Sequence, residues 1–236
     1  MTRYLTIIAL LVLMVFSSCS QTTPEEYLQK GDDLYRMKLY GKAIEQYDQA
    51  IGRKGDFVIA YINKGQALEF ERKFQEAIDN YNALLNVIPN ETQALTRRGI
   101  CYIKILQFQS ALVDLEKANK QAPQNALILC NLGFCKVQLE DTSGINELNQ
   151  SIVLDSLNYE AYYNRGLGRL ILQNSLEAIN DFEKAIGLYP EFGEAYFSIG
   201  LCKFQLGDKD GACEYWKQSV SKGYNRAQPI IDQNCN

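Results

Sequence analysis

The chain contains no histidine among its 236 residues, and that absence removes the commonest catalytic arrangements. A serine or cysteine nucleophile has no imidazole partner, and there is no imidazole base or histidine-containing zinc site. Basic residues are not in excess either. Lys and Arg number 24 against 28 Asp and Glu, for a formal charge of −4, so the chain has no basic footprint for nucleic acid. Neither a phosphate-cradling glycine loop nor a nucleophile elbow occurs. Asp208-Lys209-Asp210-Gly211 lacks the remaining oxygen ligands of a calcium loop. The acid pairs Glu25-Glu26 and Asp32-Asp33 are adjacent on helices, where their side chains diverge as solvated surface. These absences point to a protein that is not an enzyme, with no cofactor, no metal and no small-molecule substrate expected.

The apolar run Leu5 to Phe16 is too short to span a bilayer. It follows Arg3 and leads into Ser17-Ser18-Cys19, which is the layout of a secretory signal.

What the chain does have is a period. Gly31, Gly65, Gly99, Gly133, Gly166 and Gly200 recur at intervals of 34, 34, 34, 33 and 34 residues. A second series of small residues, Ala43, Ala77, Ala111, Gly144, Ala178 and Ala212, keeps step with it, and both series lose one residue between Gly133 and Gly144. A period of this length describes stacked supersecondary units rather than a single core. In residues 58–91, Tyr61, Gly65 and Leu68 share one face of a first helix, and Phe74, Ala77, Tyr81 and Leu84 share one face of a second. Gly65 and Ala77 lack bulk where the two helices approach, and Pro89 falls just past the second. The unit is therefore a helical hairpin. Residues 92–125 and 159–192 repeat it.

The pattern of aromatic, Gly, Tyr, Ala, aromatic, Ala and Pro over 34 residues resembles the tetratricopeptide-repeat (TPR) family. That resemblance implies an all-α, right-handed superhelical solenoid of about six helix-turn-helix repeats, at about 24–57, 58–91, 92–125, 126–158, 159–192 and 193–222, with a C-terminal cap over 223–236. Departures are local: Leu84 and Ser151 stand where the family places a late Ala, and Gly55 and Ser156 where it places Pro.

Two small residues before Cys19 and the polar stretch Ser20 to Glu26 after it resemble a bacterial lipobox. The resemblance implies a lipoprotein signal peptide over 1–18, lipidation of Cys19, and a short tether over 19–23. Multiple acyl chains anchor stably where one is marginal. The chain is then expected at the cell envelope, on the outer membrane, at its periplasmic or surface face. The alternative is an ordinary signal with a coincidental cysteine.

Of the other cysteines, Cys101, Cys135 and Cys202 share the slot two residues after the repeat glycine and read as small core residues. Cys130 and Cys135, five apart on one helix, turn to different sides. Cys213 and Cys235 are the better candidates for a disulfide, since one lies in the last repeat's second helix and the other ends the tail; the alternative is two buried thiols. The closing stretch Gly207 to Trp216, continuing through Gly223-Tyr224, resembles the end of Bacteroidetes TPR lipoproteins, which often carry a late cysteine. The same resemblance makes Asp155-Ser156-Leu157 a match to that phylum's short O-glycosylation pattern, with Ser156 as acceptor.

In the family the concave groove is lined by residues three before, one after and four after each glycine. Here those positions give an apolar strip, with Ile62, Ile100, Ile103, Phe134, Val137, Tyr163, Leu167, Leu170, Phe197, Leu201 and Phe204 as the candidate groove. Contiguous apolar patches mark interaction sites. The expected partner is another envelope protein presenting an extended peptide or amphipathic helix. The alternative reading of the strip is that curvature closes these residues on one another or beneath the tail. The carboxylate clamp of chaperone-binding members is incomplete: Asn63 and Arg97 fit it, but Leu28, Asp32 and Gln93 do not. The chain thus reads as a non-catalytic adaptor or scaffold tethered to the membrane. The rival is an obligate structural subunit of an outer-membrane secretion, assembly or uptake complex.

Overall fold

The computed structural model describes residues 22–235, so Cys19 and the apolar run before it lie outside the described residues. Thirteen α-helices and one 3-10 turn make up the described chain, with no strand among the described residues. None of these helices is long and apolar enough to cross a membrane.

The described residues up to Lys73 form one compact unit and those from Phe74 a second. The first holds α1 (Pro24–Arg36), α2 (Tyr40–Arg53) and α3 (Val58–Phe70). The second holds α4 (Phe74–Val87), α5 (Thr92–Lys104), α6 (Phe108–Gln121), α7 (Ala126–Gln138), α8 (Gly144–Leu154), α9 (Tyr159–Ile171), α10 (Ser175–Leu188), α11 (Gly193–Gln205) and α12 (Lys209–Ser221). The turn Asn225–Ala227 and α13 (Gln228–Asn234) close it. Within each unit consecutive helices pack on one another, as a stacked array requires.

The helix starts follow from local chemistry. Thr23 caps α1 through a reciprocal pair of bonds with Glu26, which satisfies two otherwise orphaned donors. Asn125 and Asn158 accept backbone N–H groups at the starts of α7 and α9.

The turn between the two helices of a repeat is one device used repeatedly. Leu106 N–H reaches Ile103 O at 2.9 Å and Gln107 N–H reaches Tyr102 O at 2.8 Å, the paired bonds of a Schellman motif. Lys38, Arg72, Leu106, Glu140, Gln173 and Gly207 take the left-handed residue of this turn, with φ between 59° and 87°.

The glycine series does what its spacing demands. On five of the six first helices the glycine receives a large side chain from the following second helix: Tyr47 on Gly31, Leu115 on Gly99, Leu148 on Gly133, Phe182 on Gly166 and Trp216 on Gly200. All five of these side chains are buried. A Cβ at Gly166 would fall 2.5 Å from the Phe182 ring. The residue missing from the fourth repeat is missing from the start of α8: the left-handed turn is kept at Glu140, and the chain that follows it stays unwound until Gly144. That helix has 11 residues where α6 and α10 have 14. Gly133 and Gly144 let α7 and α8 meet backbone to backbone, since a Cβ on Gly133 would come within 2.7 Å of Gly144 O.

Candidate partner-binding groove

In the second unit, α5, α7, α9 and α11 are the first helices of repeats three to six and carry ten of the eleven candidate groove residues. Ile62 lies on α3 of the first unit and is buried. The structure divides the rest by column rather than leaving one open strip. Val137, four residues after its glycine, is 1% exposed and packs with Cys130, Leu148 and Ala161; Ile103 at the same position is also buried. Tyr163 lies edge-on to Phe192 at 4.7 Å and tilts over Phe182 at 5.5 Å. Leu167 and Leu170 pack on the core made by Ala178, Phe182 and Ile199. These side chains join successive repeats to one another.

At the C-terminal end the tail covers the strip. The Phe197 ring sits 5.3 Å from that of Tyr224, and Phe197 and Leu201 pack around Ala212, Trp216 and Ala227 together with Ile230 and Ile231. The expectation of a nearly continuous open apolar surface is therefore corrected. Ile100, Phe134 and Leu167, each one residue after its glycine, stay half-buried. Phe204 is the most open of the set at 39% and lies 5.7 Å from Trp216, centroid to centroid. The register was readable from the sequence. Which of its columns neighbouring repeats would close over was not, because that depends on the stacking of whole hairpins.

Two features escaped the sequence reading. One is a column of cations immediately before the glycines. Arg98 forks onto Asp114 with bonds of 2.7 Å and also reaches Asn82 Oδ1 at 2.6 Å. Arg165 repeats the arrangement on Asp181 and Asn149. In the first unit Lys64 reaches Asp48 at 2.6 Å. The signal was present at Arg98 and Arg165, each a basic residue before the glycine with Asp 16 positions later, whereas Lys64 meets an Asp 16 positions earlier. The other is a set of exposed apolar side chains away from the groove. Val153, 84% exposed, and Leu154 line a shallow surface cavity of about 380 Å³ with Pro123, Gln124, Asn149 and Gln150. Val153 stands in the slot that Lys120 and Gly187 fill in neighbouring repeats.

The remaining candidate positions are placed plainly. In the first unit Asn63 donates to Asp32 Oδ1 at 2.8 Å, which also takes Tyr47 OH at 2.9 Å, beside a cavity of about 230 Å³. Asn63 is thus tied within the protein. Ser156 is exposed in the turn between α8 and α9. Cys213 and Cys235 are joined by a disulfide with Cα atoms 5.6 Å apart. Cys101, Cys130, Cys135 and Cys202 are buried thiols. Burial pushes the Cys130 and Cys135 thiols up to about 12 and the Cys202 thiol to about 11, which removes the thiolate character a reactive cysteine needs.

Helical hairpins stacked in series, five of them closed by a large side chain on a glycine, define a helical repeat protein. The chain belongs to the tetratricopeptide-repeat family, whose profile matches residues 28–94 and 163–221, more than half of its length. Among curated proteins it is 23% identical over 240 residues to the BBSome complex member BBS4 homolog of Drosophila melanogaster, covering 82% of this chain and 49% of that protein. The chain spans about half the length, or less, of the curated relatives it matches. Among solved structures, a tetratricopeptide repeat protein from Parabacteroides merdae aligns over 94% of this chain and 88% of its own, at 18% identity and a TM-score of 0.69. YrrB, a TPR protein with an unusual peptide-binding site, aligns over 75% of this chain and 91% of its own, at 20% identity and a TM-score of 0.58.

Proposed function

We propose that the protein is a non-catalytic adaptor, held at the bacterial cell envelope by a lipid on Cys19, that grips a peptide or amphipathic helix of another envelope protein along its first helices. The observation that carries the binding surface is the half-buried column Ile100, Phe134 and Leu167. It offers one apolar side chain per repeat on three successive first helices of a single compact unit. A ligand with bulky apolar side chains at matching intervals would bury them, and desolvated aromatic and aliphatic anchors dominate such interfaces. Membership of a family of protein-interaction modules supports the reading, as does YrrB's peptide-binding site on the same fold. The lipobox-like Ser17-Ser18-Cys19 supports the tether.

The test is affinity capture from gently solubilised native membranes with the wild type and with Ile100→Glu plus Phe134→Glu, after circular dichroism has shown the variant folded. Loss of one specific envelope protein is expected. Unchanged capture by the folded variant overturns the groove. Mass measurement of the N-terminal peptide checks for the acylated Cys19.

A second reading has its own observation. Val153, Leu154 and the 75%-exposed Leu157 lie close together along the chain on apolar surface outside the groove, as expected of a subunit built into a larger outer-membrane assembly. Sedimentation separates the two: an adaptor runs as a monomer, whereas an orphaned subunit self-associates until Val153→Lys and Leu157→Lys disperse it.

A further inference from the structure

We infer that the Cys213–Cys235 disulfide is a redox latch on the C-terminal segment 228–235. With the bond closed α13 lies over the apolar cluster of the sixth repeat, and when a dithiol opens the bond α13 leaves and Trp216 is uncovered. The inference stands apart from the groove reading, because it concerns a segment of this chain and the surface beneath it.

Three observations carry it. First, α13 is too slight to hold itself in place: it has seven residues, begins at Gln228-Pro229 and contains no buried residue. Isolated helices of that length are not stable in water, so its position must come from its attachments. It packs on α12 and the preceding 3-10 turn, and its apolar contribution to the cluster beneath is Ile230 and Ile231. The remaining attachment is covalent, at its far end.

Second, the chain just before α13 is held independently of the bond. Ala227 is fully buried, and the Tyr224 ring rests on Phe197. Release is thereby confined to the segment after Ala227, and the repeats keep their closure. Ser219 Oγ still donates to Gly193 O at 2.8 Å, and Trp216 Nε1 to Phe197 O at 3.3 Å.

Third, the bond is the accessible cysteine sulfur of the described residues. Cys213 and Cys235 border a surface cavity of about 410 Å³ with Lys209, Asp210, Glu214, Lys217 and Asn234, whereas the four thiols among the described residues are buried. The reductant comes from outside. A thiolate of an external dithiol attacks one sulfur to give a mixed disulfide. Its second thiol then displaces the protein sulfur. The protein disulfide gains two electrons and two protons to become two thiols, and the dithiol becomes a disulfide. What is exposed is an apolar surface beside Leu201 and Phe204 on α11, which extends the first-helix face of the sixth repeat.

The chain has a single tryptophan, so Trp216 reports its own uncovering. The experiment compares the full protein oxidised with the same protein reduced by dithiothreitol and capped with iodoacetamide. Amide exchange is followed by mass spectrometry and Trp216 emission by fluorescence. Opening the bond should speed exchange in 228–234 by about tenfold or more, the signature of local rather than global release. It should also shift Trp216 emission to the red while exchange in 92–188 stays unchanged. Cys235→Ser should reproduce the reduced state without any reductant. Equal exchange and emission in the two states overturn the latch. So does acceleration throughout the second unit, which would make the bond a general brace.

Discussion

Arg165 and Asp181, 16 residues apart on α9 and α10, meet through a two-pronged ion pair in which Asp181 is 4% exposed and also receives Arg169 at 2.8 Å. Removing the carboxylate takes from Arg165 its ion-pair partner at a largely buried site, while Arg169 keeps Glu177 at 3.3 Å, and breaking such a buried pair costs about 3–5 kcal/mol. Asp181→Ala should lose that much in urea unfolding. At the equivalent pair, Arg98→Met with Asp114→Leu should recover most of the loss caused by Asp114→Ala alone, because an apolar pair of similar volume strands no charge.

Gly166 and Phe182 are matched in volume. Gly166→Ala places a methyl against a fully buried ring, and overpacking of this kind costs about 1–3 kcal/mol. Combining it with Phe182→Leu should be less damaging than the sum of the two single changes. A double-mutant cycle reads the difference as a favourable coupling, and simple additivity would mean that the two do not share the space.

Leu106 pays for its turn. It holds φ at 62° and is 74% exposed, so it bears the left-handed penalty of about 1–2 kcal/mol for an L-residue without packing in return. Leu106→Gly should raise the melting temperature, with a gain reduced to about 1 kcal/mol by the extra freedom of glycine in the unfolded chain. Gly207→Leu at the same turn of the sixth repeat should do the reverse.

Buried thiols set an alkaline limit. Cys130 and Cys135 titrate near 12 when folded, raised by burial from an ordinary 9.0. Between those values the unfolded chain has released protons that the folded chain still holds, so stability falls as pH rises. The contribution is whole below about 9 and declines by up to about 1.4 kcal/mol per pH unit for each thiol until the folded groups ionise. Unfolding free energies measured from pH 8 to 11 should show that slope, and Cys130→Ala with Cys135→Ala should lower it, leaving the share of Cys202, which burial raises to about 11.

Much of this was legible in the chain. Gly31 through Gly200 announced both the period and the close approach of helices, and the departure at Asp141–Ser143 was visible as a missing residue. The column to which each candidate residue belongs was legible too, since it depends only on position relative to a glycine. What was not legible is which lining residues the stacking consumes. Ile103 and Val137, four residues after their glycines, are buried while Leu170 at the same position is half-buried, since each is covered to the extent that the next hairpin reaches it. The cation column was missed for a different reason: Arg98 and Arg165 look like ordinary surface charges until Asp114 and Asp181 are brought beneath them.

The missing residue in the fourth repeat bears on how such chains change length over time. A residue lost within a helix would rotate everything beyond it by about 100° and aim the wrong side chains inward. Here the loss fell at the start of α8, where the first turn is unwound, and the packed parts of both helices kept their bearings: Leu148 still rests on Gly133, Glu147 still fills the slot of Asp114 and Asp181, and it pairs there with Lys136. The later repeats inherit no phase error. The unwound start of a helix acts as an expansion joint in this array, a place where a residue is dropped while the packed faces on either side keep their alignment.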